Sequence, residues 1–206
     1  MRLVITYQDI PTSGELQVPM DAIVTPSARD AAAERGVKIV ALPADQIHSQ
    51  AAPETTIAIG ADHGGFRLKE QLKPVLAGLG LTIRDLGVAD ETPADYPDIA
   101  RQVAEIVADG TAARGIVIDG AGIGSSIAAN KVPGIRAALC YDKASARNSR
   151  EHNDSNVLTL GGRVLTPTQA EEVLRVWLGT PFAGGRHAAR VRKISQIERK
   201  YAREPK

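Results

Sequence analysis

The sequence predicts an α/β fold: a Rossmann-like three-layer α/β/α arrangement with a five-stranded parallel sheet, plus an N-terminal appendage. From Thr56 onward, short apolar runs alternate with helical patterns, as successive β-α units do. Before that point the chain is turn-rich and polar, with Pro11 to Gly14 in one turn-like stretch and Pro53 in an Ala-rich segment at 44–54. We therefore expect an appendage and linker at 1–55 and a larger domain at 56–206.

The strands and helices of the larger domain alternate along the chain. The expected strands are 57–61, 82–86, 115–119, 135–140 and 157–160. The expected helices are 66–77, 96–108, 123–131, 143–151, 167–178 and a basic one at about 186–201. Strands joined by helical crossovers run parallel, so the sheet should lie between two helix layers.

The appendage is expected to be partly ordered. Ser27 is a suitable N-cap for a helix that runs to Arg35, Gly36 is its expected stop, and residues 37–42 have the pattern of a following strand. Its side chains show no catalytic grouping. Any chemistry is therefore expected in the larger domain.

Composition excludes several classes of function. The 25 basic and 24 acidic residues nearly cancel, so neither nucleic acid nor a membrane surface is an expected main partner. No apolar stretch approaches the ~20 residues that cross a bilayer, and residues 1–50 lack a secretory pattern, so we expect a cytoplasmic protein. Cys140 is the only cysteine and ends an apolar run, which favours a buried, inert thiol. No histidine pair has metal-ligand spacing, so metal-free chemistry is expected.

The stretch from Ile116 to Ser126 is the most informative part of the chain, with a strand, a carboxylate, alternating glycines and then hydroxyls. Ligands of parallel sheets collect beyond the carboxyl ends of the strands, which places Asp119 at a ligand-binding rim together with Asp62-His63 and Gly161-Gly162-Arg163. Asp119 has the properties of a general base beside an oxyanion cradle. A helix N-cap is the alternative, and the local pattern leaves both open.

Three other polar groups each allow two interpretations. Asp62 and His63 either bind phosphate or move protons, or else cap a helix and lie exposed. His152 lies in a cluster before a strand, where a solvated turn is the local interpretation, although it can reach a site in a neighbouring subunit. Arg186 and Arg190 lie four residues apart on one helix face, which suits either a phosphate or a solvated basic surface.

Six motifs occur in order over about residues 56–201. They are Asp62-His63-Gly64-Gly65-Phe66, Asp95-Tyr96-Pro97, Gly120-Ala121-Gly122-Ile123-Gly124, Ile127-Ala128-Ala129-Asn130-Lys131, Arg150-Glu151-His152-Asn153-Asp154 and Gly184-Gly185-Arg186-His187. Together they resemble the type B ribose-5-phosphate isomerase family, which includes galactose-6-phosphate isomerase subunits. The resemblance does not cover the first 55 residues.

The resemblance implies aldose–ketose isomerisation of a phosphorylated sugar through an enediolate, with ribose 5-phosphate and ribulose 5-phosphate as the default pair. The alternatives are a tetrose or hexose phosphate, or a non-catalytic phosphosugar-binding or scaffold protein. The resemblance also implies that no metal or other cofactor is used. It further implies a homodimer or higher homo-oligomer whose active sites use residues of both subunits.

The resemblance assigns roles to single residues. His152 would assist ring opening, Asp62 and His63 would contact the sugar, and Asn153 would bind substrate. Arg186 and Arg190 would hold the phosphate. The enediolate would be stabilised by backbone N–H groups of the glycine turn, which comprises Gly120, Ala121, Gly122, Ile123 and Gly124, with Ser125 as a further substrate-binding residue.

The chain departs from the family pattern at the position of the base. Asp119 stands where many members carry the proton-abstracting Cys, and Ser125 stands where another branch carries Glu. A carboxylate is ionised at neutral pH, whereas an ordinary thiol mostly is not, so Asp119 is the expected base. Some Asp-bearing members resemble proteins associated with bacterial microcompartments, which makes packaging one hypothesis for residues 1–55.

Overall fold

A computed structural model describes residues 4–7, 10, 15–42 and 56–202. The chain divides into two compact units, Met1–Pro53 and Glu54–Lys206. The predicted turn at 11–14 and the predicted linker at 44–54 lie outside the described residues. None of the helices in the described ranges combines the length and the apolar character that a membrane span requires.

The described residues of the smaller unit contain two pairs of parallel strands and one helix. Strand β1 (Val4–Ile5) pairs with β3 (Ile23–Val24), and β2 (Glu15–Pro19) pairs with β4 (Lys38–Leu42). Helix α1 (Pro26–Arg35) lies between β3 and β4 in the chain. Small and branched apolar side chains form its core, namely Ile5, Ile10, Val18, Ala28, Ala31, Ala32 and Val37.

The N-cap of α1 is Thr25, so the predicted cap at Ser27 is wrong. The Oγ1 atom of Thr25 accepts the backbone N–H of Ala28 at 3.3 Å, and Pro26 occupies the first helical position. Because Pro favours that first position, the cap falls before it and Ser27 lies inside the helix. Gly36 ends the helix in the left-handed conformation, with φ at 64°.

The larger unit contains the five-stranded parallel sheet that the sequence predicts. Its strands are β5 (Ile57–Ala61), β6 (Ile83–Asp85), β7 (Arg114–Asp119), β8 (Ala137–Leu139) and β9 (Val157–Gly161), in the spatial order β6-β5-β7-β9-β8. The strand order reverses between β5 and β7, because β6 lies on one side of β5 and β7 on the other. Such a reversal is the usual ligand-binding position of an open α/β sheet.

Helices cover both faces of this sheet. Helices α2 (Phe66–Gly78), α5 (Lys143–Asn153) and α6 (Pro167–Gly179) contribute to the core on one face, while α3 (Tyr96–Ala108) and α4 (Ile123–Ala129) contribute to the core on the other. Ile116 and Ile118 of β7 face the first core, and Val117 faces the second, as the alternation of a strand requires. The final helix, α7 (Gly185–Tyr201), packs beside α5.

Some boundaries differ from those predicted. Strand β8 begins at Ala137 rather than at residue 135. The N–H of Arg136, just before the strand, donates to Oδ1 of Asn156 at 2.8 Å instead of to a neighbouring strand. Helix α5 continues two residues further than predicted and ends at Asn153, where the cap residue Asp154 adopts the left-handed conformation with φ at 47°. Cys140 is fully buried, and burial raises the pKa of its thiol.

Candidate active site

One group of predicted site residues lies at the carboxyl edge of the sheet, where the strand order reverses. Asp119 ends β7, and Asp62 directly follows β5. The N–H of Asp62 donates to the carbonyl of Ile118 at 3.2 Å, and the N–H of Gly162 donates to the carbonyl of Asp119 at 2.7 Å. We refer to this group as the carboxyl-edge cluster, which comprises Asp62, His63, Asp119 and the turn Gly120, Ala121, Gly122, Ile123 and Gly124.

Glycines allow the ends of three strands to approach one another. A Cβ atom on Gly65 would lie 2.1 Å from the carbonyl oxygen of Ile118, and one on Gly162 would lie 2.6 Å from that of Gly64. Both distances are far below van der Waals contact, so neither position accepts a side chain without movement of the backbone. The floor of the carboxyl-edge cluster is therefore main chain.

The carboxylate of Asp119 is engaged by the turn that follows it. Its Oδ1 atom accepts the N–H of Ala121 at 2.8 Å and that of Gly122, and its Oδ2 atom accepts the N–H of Ser125 at 2.9 Å. The residue is only 5% exposed. Asp119 thus caps the turn before α4. Since each carboxylate oxygen has two lone pairs, Oδ2 keeps one that no described donor occupies.

Two N–H groups at the start of α4 have no acceptor within the described part of the chain. They belong to Ile123 and Gly124, the first two residues of the helix, whose amides have no intrahelical partner. The ring of Tyr96 covers Gly124, because a Cβ there would lie 2.5 Å from it. Gly122 reaches this turn in the left-handed conformation, with φ at 80°. These two donors are suited to a developing negative charge.

Asp62 and His63 are both held by backbone amides. The Oδ1 atom of Asp62 accepts the N–H groups of Gly64 and Gly65 at 2.8 and 3.0 Å, so Asp62 organises the turn before α2. The Nδ1 atom of half-buried His63 accepts the N–H of Ala94 at 3.4 Å. A neutral ring that accepts at Nδ1 carries its proton on Nε2. His63 is thereby able to donate from Nε2.

Ser125 is placed differently from the other predicted substrate ligands. Its side chain is fully buried, and its hydroxyl has no hydrogen-bond partner among the residues that the structure describes. Ser125 contributes its backbone N–H to Asp119. Ser125 is therefore part of the turn that holds Asp119, and its substrate-binding role stays a prediction.

The remaining predicted residues form a second group where α5 ends and α7 begins, which we call the amino-edge cluster. It comprises the predicted residues His152, Asn153, Arg186 and Arg190, together with His187, which was not predicted. The Nδ1 atom of His152 lies 2.9 Å from the side-chain amide nitrogen of Asn148. The rings of His152 and His187 are stacked, with centroids 4.1 Å apart and planes 5° from parallel.

Both arginines of the amino-edge cluster are exposed, whereas His187 between them is buried. Gly184 and Gly185 lead into the helix with φ values of 63° and 50°. Burial lowers the pKa of His187, and so do the nearby His152, Arg186 and Arg190, while Glu151 opposes them. The cluster therefore combines two guanidinium groups with an imidazole pair.

The two clusters lie at opposite edges of the sheet of one chain. Asp119 ends β7, whereas His152 and Asn153 end α5 just before β9 begins at Val157. The side chain of Arg136, which precedes β8, donates to the carbonyl of Asn153 at 3.1 Å, so this end of α5 lies beside the amino ends of β8 and β9. A strand as long as β9 spans roughly 16 Å from its amino end to its carboxyl end. A small ligand cannot contact both clusters of the same chain.

Two residues in or beside the amino-edge cluster are not among the site residues predicted from the sequence, namely Asn148 and His187. Asn148 precedes His152 by four residues, a spacing that puts both on one helix face. His187 belongs to the motif Gly184-Gly185-Arg186-His187, in which only Arg186 is a predicted site residue. Among the described residues, no group of three or more His, Cys, Asp or Glu side chains is arranged to hold a metal ion.

Comparison with known proteins gives a consistent result. The model of the Ribose/Galactose Isomerase family matches residues 57–194. Ribose-5-phosphate isomerase B of Escherichia coli (strain K12) is 46% identical over 144 residues, which are 70% of this chain and 97% of that protein. D-erythrulose-4-phosphate isomerase of Pectobacterium atrosepticum is 43% identical over 145 residues, which are 69% of this chain and 95% of that protein.

Solved structures agree with the sequence relatives. The structure of ribose-5-phosphate isomerase B from Clostridium thermocellum superimposes with a TM-score of 0.70 at 51% identity, covering 71% of this chain and 99% of that one. The structure of ribose 5-phosphate isomerase from Thermotoga maritima has a TM-score of 0.67 at 44% identity, covering 69% and 98%. The shared part includes the parallel sheet and its helices.

Proposed function

The chain belongs to the ribose/galactose isomerase family, and from this premise we propose that it interconverts ribose 5-phosphate and ribulose 5-phosphate through an enediolate. As in its relatives, the activity is that of a sugar-phosphate isomerase. One observation carries the proposal: the carboxylate of Asp119 lies where the strand order reverses, beside the free N–H groups of Ile123 and Gly124.

Asp119 is the proposed base. In the open-chain aldose, Oδ2 of Asp119 removes the proton from C2, and the electron pair moves toward the carbonyl at C1 to give the enediolate. The N–H groups of Ile123 and Gly124 stabilise the negative charge that develops on oxygen. Within the enediolate the hydroxyl proton on O2 passes to O1, and the proton held by Asp119 then returns to C1, which yields the ketose with its carbonyl at C2. The lone pair that Oδ2 retains supports this role.

The amino-edge cluster of a second copy is proposed to complete the site. Its His152 donates a proton to the ring oxygen of the cyclic sugar while a water molecule takes the proton of the anomeric hydroxyl, and its Arg186 and Arg190 bind the phosphate. The separation of the two clusters in one chain supports a homodimer with shared sites. Exposed Ile194 and Ile197 on α7 give such an assembly apolar surface to bury.

The experiment that tests the isomerase proposal measures interconversion and hydrogen exchange together. The full chain is incubated in D2O with ribose 5-phosphate, D-erythrose 4-phosphate or a hexose 6-phosphate, and products and deuterium at the carbon beside the carbonyl are followed by NMR. Turnover with deuterium uptake on the pentose phosphate is expected. Preference for another sugar phosphate would reassign the substrate, and no turnover or exchange on any of them would refute the isomerase proposal.

A second candidate function is the binding of a phosphosugar without turnover. It is favoured by the three N–H groups that already engage Asp119 and leave it as a structural cap. This candidate predicts a higher melting temperature with ribose 5-phosphate but no deuterium uptake. Exchange at the carbon beside the carbonyl would exclude it.

Residues 1–55 are proposed to serve assembly or packaging, because both clusters lie within the larger unit. A chain that begins at residue 55 should then keep nearly the same turnover as the full chain. A large loss of turnover in a folded truncated chain would show that these residues complete the active site.

A further inference from the structure

We propose that His187 is a positioning residue that holds the imidazole of His152 in the orientation needed to open the ring of a cyclic sugar phosphate. This inference rests on the proposed isomerase function and deepens it. His187 itself is not proposed to touch the reacting atoms. Its role is exerted through the stacked contact between the two rings.

The geometry of the pair limits the motion of His152. Its ring lies against that of His187 at 4.1 Å between centroids, with an angle of 5° between the planes. The segment that leads into α7 is bound to α5 beside the pair, since the N–H of Ala183 donates to the carbonyl of Glu151 at 3.0 Å. His187 is buried, so its ring forms a fixed wall against which His152 packs.

A second contact fixes the direction of the His152 ring. The side chain of Asn153 donates to Oδ1 of Asn148 at 3.4 Å, which leaves the amide nitrogen of Asn148 as the donor to Nδ1 of His152 at 2.9 Å. A neutral His152 that accepts at Nδ1 carries its proton on Nε2. The amide of Asn148 thus fixes the tautomer of His152, and the stacked ring of His187 limits the rotation of its imidazole.

His187 has the opposite arrangement of its proton. The Nε–H of Arg186 donates to Nε2 of His187 at 3.4 Å, so a neutral His187 carries its proton on Nδ1. The charged groups around His187 are Glu151 from α5 and Arg186 and Arg190 from α7, with His152 as the stacked neighbour. Burial lowers the pKa of His187, and His152, Arg186 and Arg190 lower it further, so the surroundings favour the neutral form of His187.

This role matters only for substrates that form a ring. Ribose 5-phosphate closes through the oxygen on C4, whereas D-erythrose 4-phosphate carries its phosphate on that oxygen and has no five-membered ring to open. The proposal therefore predicts different effects on the two substrates. Loss of phosphate binding or of the fold would instead affect both alike.

The kinetic test compares three variants on both substrates. In His187→Ala, kcat on ribose 5-phosphate should fall about tenfold, since general acid catalysis depends on placement of the proton donor, while kcat on D-erythrose 4-phosphate stays within about twofold. His187→Phe keeps a flat ring and should restore most of the kcat. Lys193→Ala, an exposed residue on the same helix, should leave both values unchanged. Equal losses on both substrates, or no loss on the pentose phosphate, would overturn the proposal.

An NMR test separates failure of this proposal from failure of the isomerase function, because it needs no substrate. The chain has four histidines, so their ring nitrogens are readily resolved in protein labelled with ¹⁵N-histidine. His152 should show the Nε2–H tautomer and His187 the Nδ1–H tautomer, and His187→Ala should broaden or shift the His152 signals. If the two rings share one tautomer, or if His152 is unaffected by His187→Ala, the pairing is refuted even in an inactive protein.

Discussion

Asp119 and Ser125 are joined by a hydrogen bond of 2.9 Å from the backbone N–H of Ser125 to Oδ2 of the carboxylate. The N–H groups of Ala121 and Gly122 donate to Oδ1 of the same carboxylate, so three hydrogen bonds to Asp119 hold the turn between β7 and α4 in place. One side chain therefore both shapes the turn and is the proposed base. These two roles predict different changes when the carboxylate is altered.

Asp119→Asn should reduce kcat at least about 100-fold, the usual contribution of a positioned base. It should also cost about 1–2 kcal/mol of unfolding free energy, because an amide in place of Oδ2 turns an N–H toward that of Ser125. Steady-state kinetics and urea unfolding measure the two effects. Asp109→Asn is the matched control, since Asp109 also accepts a backbone N–H in a turn, from Thr111 at 2.8 Å, but lies outside both clusters. Full turnover in Asp119→Asn would remove it as the base.

Mixing two inactive variants should restore activity if each site takes residues from two copies. Asp119→Asn and Arg186→Ala alter different clusters, so a mixed dimer contains one intact site and one doubly altered site. Random reassociation of equal amounts should give about a quarter of the wild-type activity. The rate after joint unfolding and refolding measures this, and each variant refolded alone is the control. Activity no higher than that of the separate variants would contradict shared sites.

Gly65→Ala should disrupt the floor of the carboxyl-edge cluster, because the added Cβ would lie 2.1 Å from the carbonyl oxygen of Ile118. We expect a loss of roughly 1–3 kcal/mol in unfolding free energy, as in overpacked cores, and a loss of turnover. Gly78→Ala is the control, because no atom lies within 4 Å of a Cβ there and the residue is helical. It should stabilise by about 0.5–1 kcal/mol. Equal melting temperatures for the two variants would refute the steric account.

The lowered pKa of His187 predicts a pH dependence of stability. Between its folded pKa and the ordinary value of about 6.5, the unfolded chain binds a proton that the folded chain does not, so stability rises with pH in this window. Acidification from neutral pH should therefore cost stability below about pH 6.5. His187→Phe should weaken this slope in urea unfolding measured across the window, whereas Lys193→Ala should retain it. An unchanged slope in His187→Phe would contradict the assignment.

The parts of the fold that sequence analysis predicts correctly are those with dense local signals. Branched apolar runs and helical periodicity locate the five strands and six helices of the larger unit, and the position of Asp119 at a strand end follows from them. The short strands β1, β2 and β3 of the smaller unit were not predicted, because two to five residues give little periodicity. The sequence predicts the cap of α1 at Ser27 instead of Thr25 because the two hydroxyl side chains offer the same chemistry two positions apart.

The site shows the same division between local and tertiary information. The motifs locate the residues of both clusters, but the stacked pair of His152 and His187 depends on how α5 and α7 pack, which no local pattern contains. Likewise, the full burial of Ser125 reflects the depth at which α4 sits against the sheet. The contact between Asn148 and His152 follows from their spacing of four residues on one helix, so it could be predicted from the sequence.

The location of the two clusters at opposite edges of one sheet has a kinetic consequence. A single folded chain would possess every chemical group of the proposed site and still have no activity. Its two clusters are too far apart to act on one substrate molecule. Specific activity would then fall on dilution below the dissociation constant of the dimer, and the rate would grow with the square of protein concentration in that range. Newly made chains would become active only when a second copy is present, so assembly itself would set the onset of turnover.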